Sequence, residues 1–240
     1  MEYNIVGDIA GHHDTLMALL AQMPAAATPL SVGDLVDRGH RSRQVVEFFL
    51  DRPAVLGNHE HMLIDAVLGD RYYEDGVWYQ NGGLPTILSY VDLTAEIQAG
   101  LLGWHQCLER FRAALPPAHL DRLRGLPLYL DLGELLVSHA PINPSIPFEQ
   151  TWDLGSHALS RQADQSIIWN RGLPHRIPGR FQVYGHNTSP EPMWHQDEEG
   201  CWGVGIDTAR YGLLTGLHWP SRQIYRQPLL ESDLYLKDRA

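Results

Sequence analysis

Short apolar runs that stop abruptly at glycine and then at a polar residue recur along this chain. Tyr3-Asn4-Ile5-Val6 predicts a strand that ends at Gly7-Asp8. A helix is expected from about residue 12, because Leu16, Leu19, Leu20 and Met23 fall on one face. Pro24 and Pro29 break it. A second strand is predicted over residues 29–32, followed by a helix around residues 42–50 that buries Val45, Val46 and Phe49. A third strand over residues 53–56 leads into a helix near Glu60. Strand and helix alternating in this way predict a sheet with helical crossovers.

From residue 76 to about 124 the period turns helical, with Trp78, Leu88, Tyr90, Ile97, Leu101, Leu102 and Leu108 as expected core and a turn at Asn81-Gly82-Gly83. Strands are then expected over residues 126–130, 135–138, 181–184, 202–206, 213–219 and 223–226. Between them, residues 141–180 form a long proline-punctuated connection of the kind that is more often functional than idle.

A chain of 240 residues suffices for one substantial core, and a single domain over residues 1–240 is expected. Hydrophobic residues at 44% and charged residues at 20% describe a folded globular protein. The net charge of −11 argues against a nucleic-acid polymer as partner, since phosphate backbones need basic surface. Any phosphate-handling site must be locally positive against that background. Cys107 and Cys201 form neither a CxxC pair nor a disulfide framework. No signal-like start is present, and no apolar run reaches the ~18–20 residues of a membrane span. The cytoplasm is therefore the expected location, with no membrane partner.

The chemistry lies where the apolar runs end. Gly33-Asp34-Leu35-Val36-Asp37-Arg38-Gly39 follows the second run, and Gly57-Asn58-His59-Glu60 the third. Later, residues 135–138 run into His139-Ala140, and residues 181–185 into His186-Asn187-Thr188. Asp8, Asp34, Asn58, His139 and His186 thus collect at strand ends, the edge where open α/β sheets bind ligands. Grouping such residues is costly unless a cation compensates them. The mixed oxygen and nitrogen set suits Mn²⁺, Fe or Zn²⁺. One carboxylate can bridge two ions ~3.5–4 Å apart, the clamp used for displacement at phosphorus.

At these residues the chain resembles the calcineurin-like metallophosphoesterases, and within them the phosphoprotein-phosphatase branch with its small bacterial and phage members. The GD, GDLVDRG, GNHE, SHA and YGH boxes stand in family order from Asp8 to His186, with echoes at Trp169-Asn170-Arg171 and Gly205-Ile206-Asp207-Thr208. The resemblance implies a four-layer αββα sandwich with the metal site at the strand C-terminal ends. It also implies two divalent ions, Mn²⁺ first and Fe or Zn²⁺ as alternatives. Asp34 would bridge them, Asp8 would hold the first, and Asn58, His139 and His186 the second. His59 would be the catalytic acid, Asp37 its hydrogen-bonded support, and Arg38 and Arg171 the grip on phosphoryl oxygens. A metal-bound hydroxide would attack phosphorus.

One position departs from the pattern. The first box reads Gly7-Asp8-Ile9-Ala10-Gly11, so Ala10 stands where the family has a histidine ligand of the first ion. If residues 8 and 10 are extended, they point to the same side. A second histidine after His186 is also absent. Three explanations compete: a weak, water-rich first metal, which the retained Asp37, Arg38, His59 and Arg171 favour; His12 or His13 reaching back; or a site that binds without turnover. The expected activity is a phosphomonoesterase on a phosphoprotein or small phosphoester. The alternative is a dinucleoside-tetraphosphate hydrolase, a branch in which the second Asp of the GDxxDRG box is commonly replaced; Asp37 is present here. Glu60 reads as structural, in the first turn of its helix, and Asp207 equally as a turn residue.

Overall fold

The computed structural model describes residues 1–69, 76–142 and 167–234. Two sheets face each other. The first has strand order β2-β1-β8-β9, built from β1 (Tyr3–Val6), β2 (Thr28–Ser31), β8 (Leu213–Trp219) and β9 (Gln223–Pro228). The second has order β3-β4-β5-β7-β6, from β3 (Tyr129–Asp131), β4 (Leu135–Ser138), β5 (Phe181–Tyr184), β6 (Met193–Asp197) and β7 (Gly200–Gly205). The parallel pairs are β1 with β2, β4 with β5 and β5 with β7, while β8, β9, β3 and β6 join antiparallel.

Alternation along the strands decides which side each residue faces. Tyr3 and Ile5 of β1, Leu135 and Val137 of β4, and Phe181 and Val183 of β5 meet in one cluster between the sheets. Val6, on the opposite face of β1, packs into the larger helical core. That core lies on the outer face of the first sheet. It includes α1 (His13–Leu20), α2 (Ser42–Phe48), α3 (Asn58–Leu68), α5 (Gly83–Tyr90), α7 (Trp104–Ala114) and α8 (Pro117–Arg124), with Trp78 of α4 (Trp78–Gln80) fully buried. The short α6 (Thr94–Gln98) buries none of its residues. On the outer face of the second sheet, Leu136, Ile142 and Ile177 cluster among the described residues. Residues 143–166 of the long connection lie outside the described residues.

Several expectations need correction. The third strand is reduced to a single parallel bridge, Ser31 to Ala54. Pro53 has no N–H to give, and the Leu56 N–H turns away to Pro127 O at 2.8 Å. The strand expected over residues 126–130 begins only at Tyr129. Strand β6 went unforeseen, because its Trp194 and flanking polar residues form a half-exposed edge without a clear apolar run. Leu101 is 68% exposed, outside the core.

Candidate metal centre and catalytic site

Every box emerges from the edge of a parallel strand or from a helix start. Asp8 follows β1, Asp34 follows β2, His139 follows β4, His186 follows β5 and Asp207 follows β7. Asn58 and His59 open α3. The turns that deliver them are tightly bent. Ala10, Asp34, Asp37, Arg38 and His186 all adopt positive φ, between 49° and 75°. Non-glycine residues resist that region, and such strain concentrates at functional sites. Close approach also requires the glycines: a Cβ on Gly57 would strike the Asp34 backbone and carboxylate, and one on Gly185 would strike Asp8 Oδ1.

Ala10 corrects the sequence argument in its geometry. Residues 8–10 are not extended; Ala10 is left-handed at φ 49°. Its N–H donates to Asp34 O at 2.7 Å and its C=O accepts from Gly39 N–H at 2.9 Å. The Asp8 loop and the Gly33–Gly39 box are thereby stitched together, and strand alternation says nothing about where Ala10 points. His12 Nδ1 is committed to Ile9 O at 2.8 Å and His13 Nδ1 faces Asp14 Oδ1 at 3.3 Å. Neither joins the cluster of ligand atoms found among the described residues, which comprises Asp8, Asp34 and His139.

Those three residues offer atoms within 4.8 Å of one another, and all three are buried. His139 Nδ1 meets only the Val32 carbonyl, at 2.9 Å, so it carries the proton of the neutral ring. Burial disfavours the charged ring despite the Asp34 carboxylate and lowers its pKa. Nε2 therefore presents a lone pair, yet it faces Asn58 Oδ1 at 2.9 Å and Asp34 Oδ1 at 3.3 Å. His186 Nδ1 converges on the same Asn58 Oδ1 at 3.0 Å. Burial, with the neighbouring His139 and Arg171, holds the His186 pKa down at about 3. Acceptor atoms gathered this closely fit a cation, and the residues present match an oxygen-and-nitrogen ligand set.

The two polar boxes are tied together by Glu60. Its carboxylate accepts the N–H groups of Asp34 (2.8 Å), Leu35 (2.7 Å), Val36 (3.2 Å) and Gly57 (3.0 Å). Burial and then the Asp34 charge push the Glu60 pKa up to about 8. Glu60 is structural, as its position suggested, but by clasping a loop more than by meeting its helix dipole.

His59 stands against this frame. Its Nδ1 lies 2.6 Å from Asp37 Oδ2 and its Nε2 3.1 Å from an Arg38 guanidinium nitrogen. Asp37 is fully buried and also receives the Trp78 Nε1–H at 3.0 Å and the Thr86 hydroxyl at 2.8 Å. Burial alone would lower the His59 pKa; the Asp34 charge and the Asp37 hydrogen bond outweigh it and raise it. Arg171 lies on the other side, donating to His186 O at 3.1 Å, while the Trp169 ring meets His186 edge-on at 6.2 Å. Asn170 is a loop brace, donating to Pro141 O and accepting from Gly172 N–H.

Asp207 was undervalued in sequence. It is buried, and its carboxyl is hydrogen-bonded to that of Asp8. Burial first, then Asp207, then Asp34 raise the Asp8 pKa well above the carboxylate range. The available signal was its place two residues past the apolar end of β7, the same offset as Asp8 after β1.

Two facing sheets carrying polar boxes on their parallel strand ends define a metal-dependent phosphoesterase. The calcineurin-like phosphoesterase family model matches residues 1–171, and the chain belongs to that family. The asymmetrical bis(5'-nucleosyl)-tetraphosphatase of Anoxybacillus flavithermus is 25% identical, over 95% of this chain and 94% of its own length. The symmetrical bis(5'-nucleosyl)-tetraphosphatase of Vibrio vulnificus is 31% identical over 86% of this chain, which spans 63% of that protein. The fold matches a solved structure proposed as a diadenosine tetraphosphatase (TM-score 0.60, 21% identity, 96% of this chain and 94% of that one). It also matches a protein serine/threonine phosphatase from Saccharomyces cerevisiae (TM-score 0.54, 14% identity, 96% and 81%). The chain is a phosphoric ester hydrolase, so the explanation of Ala10 by a non-catalytic binding role is set aside.

Proposed function

We propose that the chain hydrolyses dinucleoside polyphosphates, with Asp8, Asp34, Asn58, His139 and His186 holding two divalent ions, Mn²⁺ first among the candidates. The observation that carries the catalytic reading is the convergence of His139 Nε2 and His186 Nδ1 on Asn58 Oδ1, with Asp34 Oδ1 against His139 Nε2, beside the His59–Asp37 pair. The substrate reading rests on the tetraphosphatase that aligns along almost the whole chain. When bound, the ions would supply Lewis acidity toward a phosphoryl oxygen and a water molecule at neutral pH.

The chain's own residues do the rest. Arg38 and Arg171 flank the centre and grip phosphoryl oxygens as planar, permanently charged forks. A phosphoryl group that engages Arg38 draws its guanidinium from His59 Nε2 and frees that nitrogen to carry a proton. Asp37 holds the ring through Nδ1–H, and Trp78 and Thr86 hold Asp37. His59 then delivers its proton to the departing oxygen.

Asp37 supports a second reading, a phosphomonoesterase that includes phosphoproteins among its substrates. An acid backed by a buried carboxylate matters most for an alkoxide leaving group, because a departing phosphate is already a weak base. The deciding experiment compares kcat/KM for diadenosine tetraphosphate, a phosphoserine peptide and p-nitrophenyl phosphate in Mn²⁺. Preference for the dinucleotide supports the first reading; preference for the peptide replaces it with the second.

A further inference from the structure

Beside the centre lies a cavity of about 230 Å³ lined by His12, Arg38, Ala209 and Arg210. We propose that it is a subsite for the phosphoryl group next to the one being cleaved, so that the enzyme takes polyphosphate chains. This inference rests on the catalytic reading above for the position of the cleaved group.

The lining is positive in a chain of net charge −11. It brings two guanidinium groups and a buried imidazole together with no carboxylate in the wall. The acid whose charge acts on His12 is Asp233, and its oxygens are already taken by the Asp14 N–H, the Thr15 N–H and the Thr15 hydroxyl. His12 Nδ1–H donates to Ile9 O, so in the neutral ring Nε2 carries a lone pair, and the two guanidinium groups are the donors this wall offers an oxyanion. Arg210 sits on a 3-10 turn, Ala209–Tyr211, and is exposed, with no hydrogen bond or ion pair among the described residues.

Two of the cavity's lining residues contact residues of the centre. Arg38 reaches His59 Nε2 at 3.1 Å, and the Ala209 N–H donates to Asp207 Oδ1 at 3.2 Å, beside Asp8. A phosphorus atom placed at the ligand cluster therefore has Arg38 on its flank and Arg210 one step beyond. The volume equals roughly seven or eight waters at ~30 Å³ each. It falls below the ~300–1,000 Å³ of pockets that enclose drug-sized ligands. A phosphoryl group fits within that volume. Oxyanion recognition by guanidinium forks is the chemistry such a wall offers.

The test uses Arg210, whose exposure makes a folding defect unnecessary to invoke. For the Mn²⁺-loaded protein, kcat/KM for diadenosine tetraphosphate divided by that for p-nitrophenyl phosphate falls by roughly tenfold or more in R210A, with partial recovery in R210K. A ratio unchanged in R210A overturns the subsite, as does an equal loss on both substrates. Calorimetric titration with tripolyphosphate separates this inference from the catalytic one. If neither substrate is hydrolysed the catalytic reading fails, yet weaker tripolyphosphate binding by R210A than by the parent protein still supports the subsite, and equal binding overturns it. Repeating the titration with ATP identifies the source of the phosphate: tighter ATP binding assigns nucleoside polyphosphates, and equal binding assigns inorganic chains.

Discussion

The Glu60 carboxylate accepts the Asp34 backbone N–H at 2.8 Å, across 26 residues of sequence, and so fixes one polar box upon the other. The same carboxylate takes the N–H groups of Leu35, Val36 and Gly57. Glu60→Ala strands buried donors, each worth ~1–3 kcal/mol when unsatisfied, so a loss of at least ~3 kcal/mol is expected. Glu60→Gln fares little better, because its NH₂ faces donors in place of an oxygen. Urea denaturation measures both. A neutral E60Q would show that the clasp is not what orders the loop.

The His59–Asp37 contact of 2.6 Å predicts a dependence on the leaving group. His59→Asn removes the acid and lowers kcat by roughly 10²–10⁴-fold on an alkyl phosphate. An aryl phosphate with a weakly basic leaving group needs less protonation and loses less. Asp37→Asn follows the same order with smaller losses, since the ring stays but its support goes. Equal losses on both substrates would remove His59 from the role of acid.

Much of this arrangement was legible in the chain. Strands β1, β4, β5 and β8 fell on the expected apolar runs, and β1 and β5 end against Gly7 and Gly185, where period and punctuation agree. Asp8, Asp34, Asn58, His139 and His186 are brought to one place, as their strand ends implied. What sequence could not supply is set by tertiary contact. Ala10 turns left-handed because Asp34 O and Gly39 N–H lock its backbone, and no local signal announces that. Residues 53–56 look like a strand, but with Pro53 donating nothing and Leu56 drawn to Pro127 only one bridge survives. Leu101 fits a helical stripe yet falls in the exposed link before α7. Glu60 and Asp207 were visible as residues, while their partners lie far along the chain.

Away from the centre, the Tyr90 hydroxyl meets His119 Nδ1 at 2.9 Å in a buried pair. Burial lowers the His119 pKa from its ordinary value of 6.5. The unfolded chain therefore binds this proton first, and the contribution to stability is whole above about pH 6.5 and shrinks as pH falls below it. His12, also lowered by burial, acts with the same sign. His59, whose pKa is raised, has the opposite sign: its contribution fades as pH rises through its folded value. Taken relative to His119→Gln, the urea midpoint of the chelator-treated protein should drop between pH 7.5 and 5.5. His119→Gln should start lower and drop less. An identical drop in the variant would clear His119 of any share in the pH dependence.

The Asp8–Asp207 pair carries the last prediction, and it bears on the missing histidine. Burial raises the pKa of both carboxyls, and the Asp207 charge raises that of Asp8 further, so the pair disfavours the metal-free fold even though the hydrogen bond to Asp8 offsets part of the rise at Asp207. A divalent ion beside Asp8 would reverse that penalty and let both ionise. Asp207→Asn should therefore raise the melting temperature of the chelator-treated protein while reducing the rise produced by Mn²⁺. A ligand that binds only the folded state stabilises by about 2.7 kcal/mol at a hundredfold excess over its Kd, so the difference is within reach of a thermal scan. Calorimetry should show the weaker of two Mn²⁺ binding steps lost or shifted in D207N. If the Mn²⁺ response of D207N matches the parent, Asp207 does not face the ion, and the first site relies on Asp8, Asp34 and water alone.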